Sequence, residues 1–502
     1  MTLKKDNKKS SKKNSNKNSK NIKRIEKIDN DNISISSGGS VDSNSITLTK
    51  YLPITINIPT NTDNIFDSEV KINFSTSLDY PKFSYGFHHY IHAEKNNMKI
   101  LKDFENKKKV YLVMNDFERY IDNYDKSIGE ISKSYFDIKD KPDILSRGFY
   151  KLWELMFMFD IVDTTKENFV SAHLAEGPGS FIQAVMFFRD KFTKKGLSKN
   201  DKFYAVTLHS EENDKYVPDL EKKFVEYYEE EKPKRFFLHK TYPKQVAGGI
   251  KNKDNGDITD PKTIKLFGGD MKEKADLITG DGGFDWANEN VQEQEALRLI
   301  LAEIVAAFKL QKKGGSFVLK VFETFAQTSV KFICLLASFY NKVFITKPLM
   351  SRPSNSEKYI VCVDFKYSDS DKEYKNISKQ LDLLLTEAHS SKNTLKIVDI
   401  YPEYKIPKKI LDHVMQINIK IANEQFKSLN EILKFINSNN YYGDTYQDHR
   451  EMQIEASKYW IDLFFPDPAK YKEYKTKIVD ISFISNKMNV DKSIELGKLL
   501  IE

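Results

Sequence analysis

A lysine stands inside an otherwise apolar, strand-like run, "GGSFVLKVF" (residues 314–322). An ammonium group there is costly to bury unless it is paired, and desolvation lowers its pKa. Lys320 is thus a candidate general base; the alternative is a strand-end lysine reaching back to solvent. Three other charged residues occupy comparable places. Asp281 follows "ADLITG", an apolar strand that stops at an aspartate and two glycines. Lys151 follows "SRGFY" at the start of an amphipathic helix. Glu357 closes "SRPSNSE" just before the apolar run "KYIVCVDF". Ligands of parallel α/β sheets sit outside the carboxyl ends of the strands, so Asp281 is either delivered to a site or caps a turn. Two lysines and two carboxylates meeting at one sheet end make a nearly neutral, strongly coupled cluster. Such a cluster suits methyl transfer from a sulfonium to a ribose hydroxyl, an oxygen too weakly acidic to attack unaided. Lys320 would take the proton, Lys151 would lower the Lys320 pKa and steady the alkoxide, and Asp281 and Glu357 would orient the two ammonium groups.

A second constellation is "LAEGPGSF" (174–181), where a strand feeds a helix. Gly177 and Gly179 permit close backbone approach, and the helix start offers free N–H groups to a polar ligand. The third glycine of the dinucleotide fingerprint is missing, since the chain continues Ser180-Phe181. A methionine-derived cofactor lacks a pyrophosphate and needs only this shorter loop. His88, His89 and His92 in "FHHYIHAEK" have helix-face spacing, but no acidic or cysteine partner accompanies them. No metal is expected.

These residues require a scaffold of alternating strands and helices. From Asp143 to about Phe365 the chain reads as such: strands "NFVSAHLAE", "KFYAVTLH", "KRFFLHK", "ADLITG", "SFVLKVF", "KVFITKP" and "KYIVCVDF", with helices between them. The helix beginning "VQEQEALRLI" is expected to run to a glycine cap at Gly314-Gly315. "KVFITKP" and "KYIVCVDF" are too close for a crossover helix and must pair antiparallel. The expected fold is a doubly wound, Rossmann-like α/β sheet, mostly parallel, with one antiparallel strand at its C-terminal end. The division is a disordered basic tail and linker at 1–50, an N-terminal extension at 51–142 that is extended and then helical, the α/β domain at 143–369, and an accessory, mainly helical region at 370–502.

Bulk properties narrow the class. The 502 residues carry a net charge of +7, but residues 1–30 alone hold eleven basic and three acidic side chains, a net of +8. The basicity belongs to the tail, which suits a polyanion tether, a nuclear-localisation-like patch or a solubilising tail. Hydrophobic residues at 40% support real cores. No apolar run is long enough to span a bilayer, and the N-terminus has no secretory h-region, so no membrane is expected. Cys334 and Cys362, both in apolar surroundings, point to buried thiols in a reducing, intracellular compartment. The Lys/Asn/Ile-rich composition is that of an AT-rich genome such as a large DNA virus's, which would place the chain in host cytoplasm or virion, with the nucleus open.

At Lys151, Asp281, Lys320 and Glu357 the sequence resembles the FtsJ-like ribose 2′-O-methyltransferases, whose Lys-Asp-Lys-Glu tetrad occurs in this chain order. "GDITDPKTI" (256–264), "DGGFDW" with "QEQEAL", "GGSFVLKVF" and "KPLMSRPSNSEKYIVC" (347–362) are similar to the mRNA cap-specific branch. The resemblance covers roughly 143–366. It implies S-adenosylmethionine as cofactor, with Gly177, Pro178, Gly179 and Ser180 at its methionine end. Asp257 would hold its adenosine part, with Asp270 as the rival. Ser180 stands where "GPGG" has its last glycine. The implied partners are capped mRNA or another RNA, and capping-enzyme or transcription machinery. Arg147, Arg352 and Asn355 are candidates for the RNA, and Trp286, Tyr441 and Tyr442 for stacking on a cap guanine. Methylation of uncapped RNA, or a non-catalytic RNA-binding role, are the other readings.

Overall fold

The computed structural model describes residues 51–475 except 79–81, 84, 101–109, 140, 209–218, 240–254, 284–288, 392–393 and 439–441. The tail and linker expected at 1–50, and the aromatics Trp286 and Tyr441, lie outside the described residues.

The strands are β1 (Ile54–Ile58), β2 (Ile72–Ser75), β3 (Val170–Leu174), β4 (Lys202–Val206), β5 (Phe236–Leu238), β6 (Ala275–Gly280), β7 (Gln311–Val321), β8 (Tyr340–Lys347), β9 (Lys358–Phe365) and β10 (Lys396–Ile400). Eight of them form one sheet in the order β1-β8-β9-β7-β6-β3-β4-β5. Neighbours from β5 through β7 pair parallel, and β9 pairs antiparallel with both β7 and β8. The chain steps outward from β3 to β4 and β5, then returns to β6 on the other side. This puts the topological switch between β3 and β6, where a doubly wound sheet opens a crevice. Leu174 pairs with Gly280 and Gly280 with Leu319, so one further step along each strand brings Asp281 beside Lys320.

The helices are α1 (Tyr85–Asn97), α2 (Val110–Val113), α3 (Ile128–Tyr135), α4 (Arg147–Phe159), α5 (Ser180–Phe192), α6 (Lys222–Glu230), α7 (Pro261–Asp270), α8 (Gln292–Leu310), α9 (Gln327–Phe339), α10 (Lys372–Ser390), α11 (Lys408–Ser438) and α12 (Asp444–Phe464). Alternation along the strands divides the core between the two sheet faces. Ile278, Phe317 and Leu319 pack against α8 and α9, while Leu277, Val318 and Val361 pack with α4 and α5.

The antiparallel pairing of β8 and β9 is as expected, but a second reversed strand joins them: β1, from the N-terminal extension, pairs antiparallel with β8 at the sheet edge. The extension between Met114 and Ser127 is turns and a short bridge rather than helix. The helix α8 stops at Leu310, not at the glycine pair. Gln311 is buried and its side chain donates to Ala275 O at 3.0 Å, which starts β7 early. Gly314, at φ +82°, and Gly315 fall in the bulge between the Gln311 and Ser316 pairings. The described residues after 369 are built onto the same cores. The face of α10 holding Ile377, Leu381 and Leu384 joins the α8–α9 cluster, β10 pairs with β2, and Trp460 of α12 is fully buried beside α4.

Candidate active site

Helix α4 begins at Ser146, whose side chain accepts from Gly148 N at 3.0 Å, a local N-cap that fixes where the helix starts. Its apolar residues, from Phe149 to Phe159, are buried, and Lys151 emerges at the sheet end. The four tetrad positions are brought together as two ion pairs. Lys151 Nζ lies 2.6 Å from Glu357 Oε1, and Lys320 Nζ lies 3.1 Å from Asp281 Oδ1 and 2.7 Å from the Asp281 carbonyl oxygen. All four side chains are largely buried, Asp281 the most open at 20% exposed. The buried Tyr359, opposite Lys320 in the β7–β9 register, turns its hydroxyl toward Asp281 Oδ1 at 3.5 Å.

The charges bind one another tightly. Burial alone would raise the Glu357 pKa, but Lys151, Lys320 and Lys347 outweigh it and bring it to about 2. Burial alone would lower the Lys320 pKa, but Asp281 and Glu357 outweigh it and hold it above the ordinary lysine value. This corrects the expectation of a lysine depressed by burial and by Lys151. Lys320 rests as an ammonium ion because two carboxylates face it.

Beneath Asp281 lies a buried acid, Glu303, seen in the sequence only as the residue interrupting an apolar run. Its Oε1 accepts from Gly282 N at 3.2 Å, and burial lifts its pKa to about 8. A Cβ on Gly282 would stand 2.7 Å from that oxygen, and one on Gly283 would stand 3.4 Å from Lys320 Nζ. The two glycines therefore keep the turn flat against Glu303 and the front of Lys320 open.

On the other side of the switch, Gly179 caps α5 at φ +107°, a conformation that favours glycine. The first N–H groups of α5, directly after the Gly177–Gly179 loop, have no intrahelical acceptor. Free N–H groups at a helix start beside a glycine loop suit a ligand that carries a polar amino-acid end. Ser180 is accommodated by a 2.6 Å hydrogen bond to Ser146. Asp257 Oδ1 accepts from Thr259 N at 2.9 Å and Thr259 Oγ1 at 2.7 Å, so its carboxylate is fixed in the loop before α7. The rival, Asp270, lies 2.6 Å from His239 Nδ1.

The candidate RNA contacts are engaged within the fold. Arg147 donates to Phe117 O at 3.0 Å and to Met350 O, and pairs with Glu118. Arg352 lies 2.9 Å from Glu118 and is 25% exposed. Asn355 Oδ1 accepts from Lys347 Nζ at 2.8 Å. Tyr442 stands 92% exposed. His92 lies 3.6 Å from Glu323, which also pairs with Lys95, and the His88 and His92 rings are 3.9 Å apart. Among the described residues no cluster of three or more His, Cys, Asp or Glu could hold a metal ion. Sequence reasoning missed Ser146, Glu154, Glu303, Lys347 and Tyr359. An acid or lysine interrupting an apolar run was the available signal for Glu154, Glu303 and Lys347.

A doubly wound sheet with a glycine loop and this tetrad at its open end defines a methyltransferase domain. The FtsJ-like methyltransferase family profile matches residues 144–365, which form an FtsJ-like methyltransferase domain. The chain is 27% identical over 309 residues to Cap-specific mRNA (nucleoside-2′-O-)-methyltransferase 1 of Caenorhabditis elegans, covering 60% of this chain and 30% of that protein. It is 26% identical over 348 residues to the Homo sapiens protein of the same name, covering 65% and 38%. The chain thus spans about a third of the length of these curated relatives. A solved Plasmodium falciparum ribosomal RNA methyltransferase, 19% identical, covers 44% of this chain and 99% of that one with a TM-score of 0.28, a likeness too weak to add to the strand order.

Proposed function

We propose that the protein is a cap-specific mRNA ribose 2′-O-methyltransferase that uses S-adenosylmethionine. The observation that carries this reading is the double ion pair, Lys151–Glu357 and Lys320–Asp281, at the open end of the switch-point crevice. S-Adenosylmethionine, when bound, supplies an electrophilic methyl group. Gly177, Pro178, Gly179 and Ser180 would hold its methionine end and Asp257 its adenosine part.

Within the pocket, Lys320 takes the proton of the ribose 2′-hydroxyl once it has itself been deprotonated, and Lys151 steadies the developing oxyanion. Asp281 and Glu357 fix the two Nζ positions, so that the attacking oxygen is held in line with the transferred methyl. Arg352, partly exposed on the loop that delivers Glu357, is the candidate contact to the RNA. The relatives' names support the cap-proximal nucleotide as the target.

The test is methyl transfer from labelled S-adenosylmethionine to one RNA sequence bearing a 7-methylguanosine cap, an unmethylated cap or a 5′-triphosphate, followed by nuclease mapping. Cap-dependent labelling of a cap-proximal 2′-oxygen is expected. Equal labelling of the triphosphate RNA would move the substrate to uncapped RNA. Labelling of none of them would remove the reading.

A further inference from the structure

Glu154 is fully buried on α4, one turn beyond Lys151. Its carboxylate takes three N–H donors: Leu349 N on Oε2, Met350 N on Oε1 and Trp460 Nε1 on Oε1, each at 2.8 Å. Leu349 and Met350 open the loop between β8 and β9, and Glu357 closes it. One helix therefore grips both ends of this loop, with Glu154 at the start and Lys151 at the end. The buried Lys347 braces the middle, its Nζ lying 3.1 Å from Ser351 Oγ, 3.0 Å from Asn355 O, 2.8 Å from Asn355 Oδ1 and 2.7 Å from Glu357 O, with burial pulling its pKa well below the ordinary lysine value. The third donor comes from α12, which meets α4 again where Trp153 Nε1 donates to Phe464 O at 2.6 Å.

An apolar side chain of Glu154's size would cost less to bury. Hydrophobic packing is non-directional, however, and cannot select one backbone conformation for a loop. A carboxyl group that accepts two consecutive main-chain N–H groups can do so, because a buried N–H that loses its acceptor is costly. We propose that Glu154 is a positioning residue through which α12, by way of Trp460, sets where the 348–357 loop presents Glu357 to Lys151. The inference rests on the methyltransferase reading for its effect on rate, but the coupling between α12 and the loop does not depend on that reading.

Misplacing a reacting group by about 1 Å can cost about 100-fold in rate. Glu154→Gln, whose amide turns a donor toward N–H groups, should lower kcat about 10- to 100-fold while changing KM for S-adenosylmethionine less than about 3-fold. Trp460→Phe keeps a buried ring and removes one donor, so a smaller loss, about 3- to 10-fold in kcat, is expected. Hydrogen exchange of the 349–357 amides should quicken in both variants, while exchange in β3 and β6 stays as in the parent.

A folded Glu154→Gln protein with parental kcat and loop exchange would overturn the proposal. If that variant fails to fold, Trp460→Phe decides: unchanged exchange at Leu349 and Met350 would equally overturn it. If the parent protein methylates no RNA, the functional reading fails and the exchange measurement still decides the coupling.

Discussion

Ser146 and Ser180 share a 2.6 Å hydrogen bond that ties the start of the helix carrying Lys151 to the first turn of the helix behind the glycine loop. A side chain at Gly148 would crowd this bond, since its Cβ would stand 3.2 Å from both Ser146 Oγ and Ser180 Cβ and one of them would have to give by a few tenths of an ångström. The two sides of the crevice are therefore fixed to each other before any ligand arrives. Ser180→Ala removes the bond between two part-buried hydroxyls, which should cost about 1 kcal/mol of stability. Isothermal titration should show S-adenosylmethionine binding weakened about 2- to 5-fold.

Lys151→Ala leaves Glu357 buried with Lys320 as its main remaining cation, since burial pulls the Lys347 pKa well below the ordinary lysine value. Breaking one side of a buried pair costs about 3–5 kcal/mol, and the lower end is expected because Lys320 still faces Glu357. Thermal denaturation should register the loss. Loss of a general acid–base partner typically costs 10²–10⁴-fold, so both Lys151→Ala and Lys320→Ala should drop methyl transfer at least about 100-fold. Cofactor binding should survive both, because the glycine loop stands on separate elements.

The pH dependence of transfer follows from Lys320. Its pKa is raised by Asp281 and Glu357, so at neutral pH the neutral, proton-accepting form is scarce. Under conditions where chemistry limits the rate, kcat should climb with pH through neutrality and into the alkaline range. Asp281→Asn removes the largest raising charge and should shift the rising limb to lower pH. An acid-side plateau at full activity would contradict the base role.

Glu303 gives a stability signature of opposite sense to the ion pairs. Its folded pKa of about 8 lies above the unfolded value of 4.5, so folding holds its proton. Its contribution is fully present below about pH 4.5 and is lost as pH rises to about 8. Glu357, at about 2, contributes above about pH 4.5 and loses that contribution as the pH falls toward 2. Glu303→Gln should therefore flatten the fall in stability between about pH 5 and 8, by at most about 4–5 kcal/mol in total. Denaturant melts of the two proteins across that range would measure the difference.

Gly282→Ala puts a Cβ 2.7 Å from both Glu303 Oε1 and Leu299 Cδ2, so that either these two buried side chains of α8 or the turn must shift. Overpacking of this kind costs about 1–3 kcal/mol. Where the Asp281 turn moves to relieve the contact, methyl transfer falls as well. A variant with normal melting and normal rate would show that the turn is softer than its packing implies.

Residue types and their spacing were enough to give the mostly parallel sheet, the antiparallel pairing of β8 with β9, the glycine loop and the four tetrad positions. Each is a local matter: strand periodicity, a connection too short for a crossover, a polar residue where an apolar strand ends. Tertiary structure alone decided the rest, because it depends on which distant groups meet. β1 completes the sheet edge from more than 280 residues before its partner β8. β7 begins at Gln311 because a side chain finds Ala275 O, which no helix-capping pattern reveals. Lys320 is charged rather than neutral because Asp281 and Glu357 converge on it, and the net of burial against Coulomb attraction exists only once both distances are set. Arg147 is committed to Met350 and Glu118, and Glu154 to two loop amides and Trp460, since a buried donor or acceptor must find its partner wherever the chain brings one.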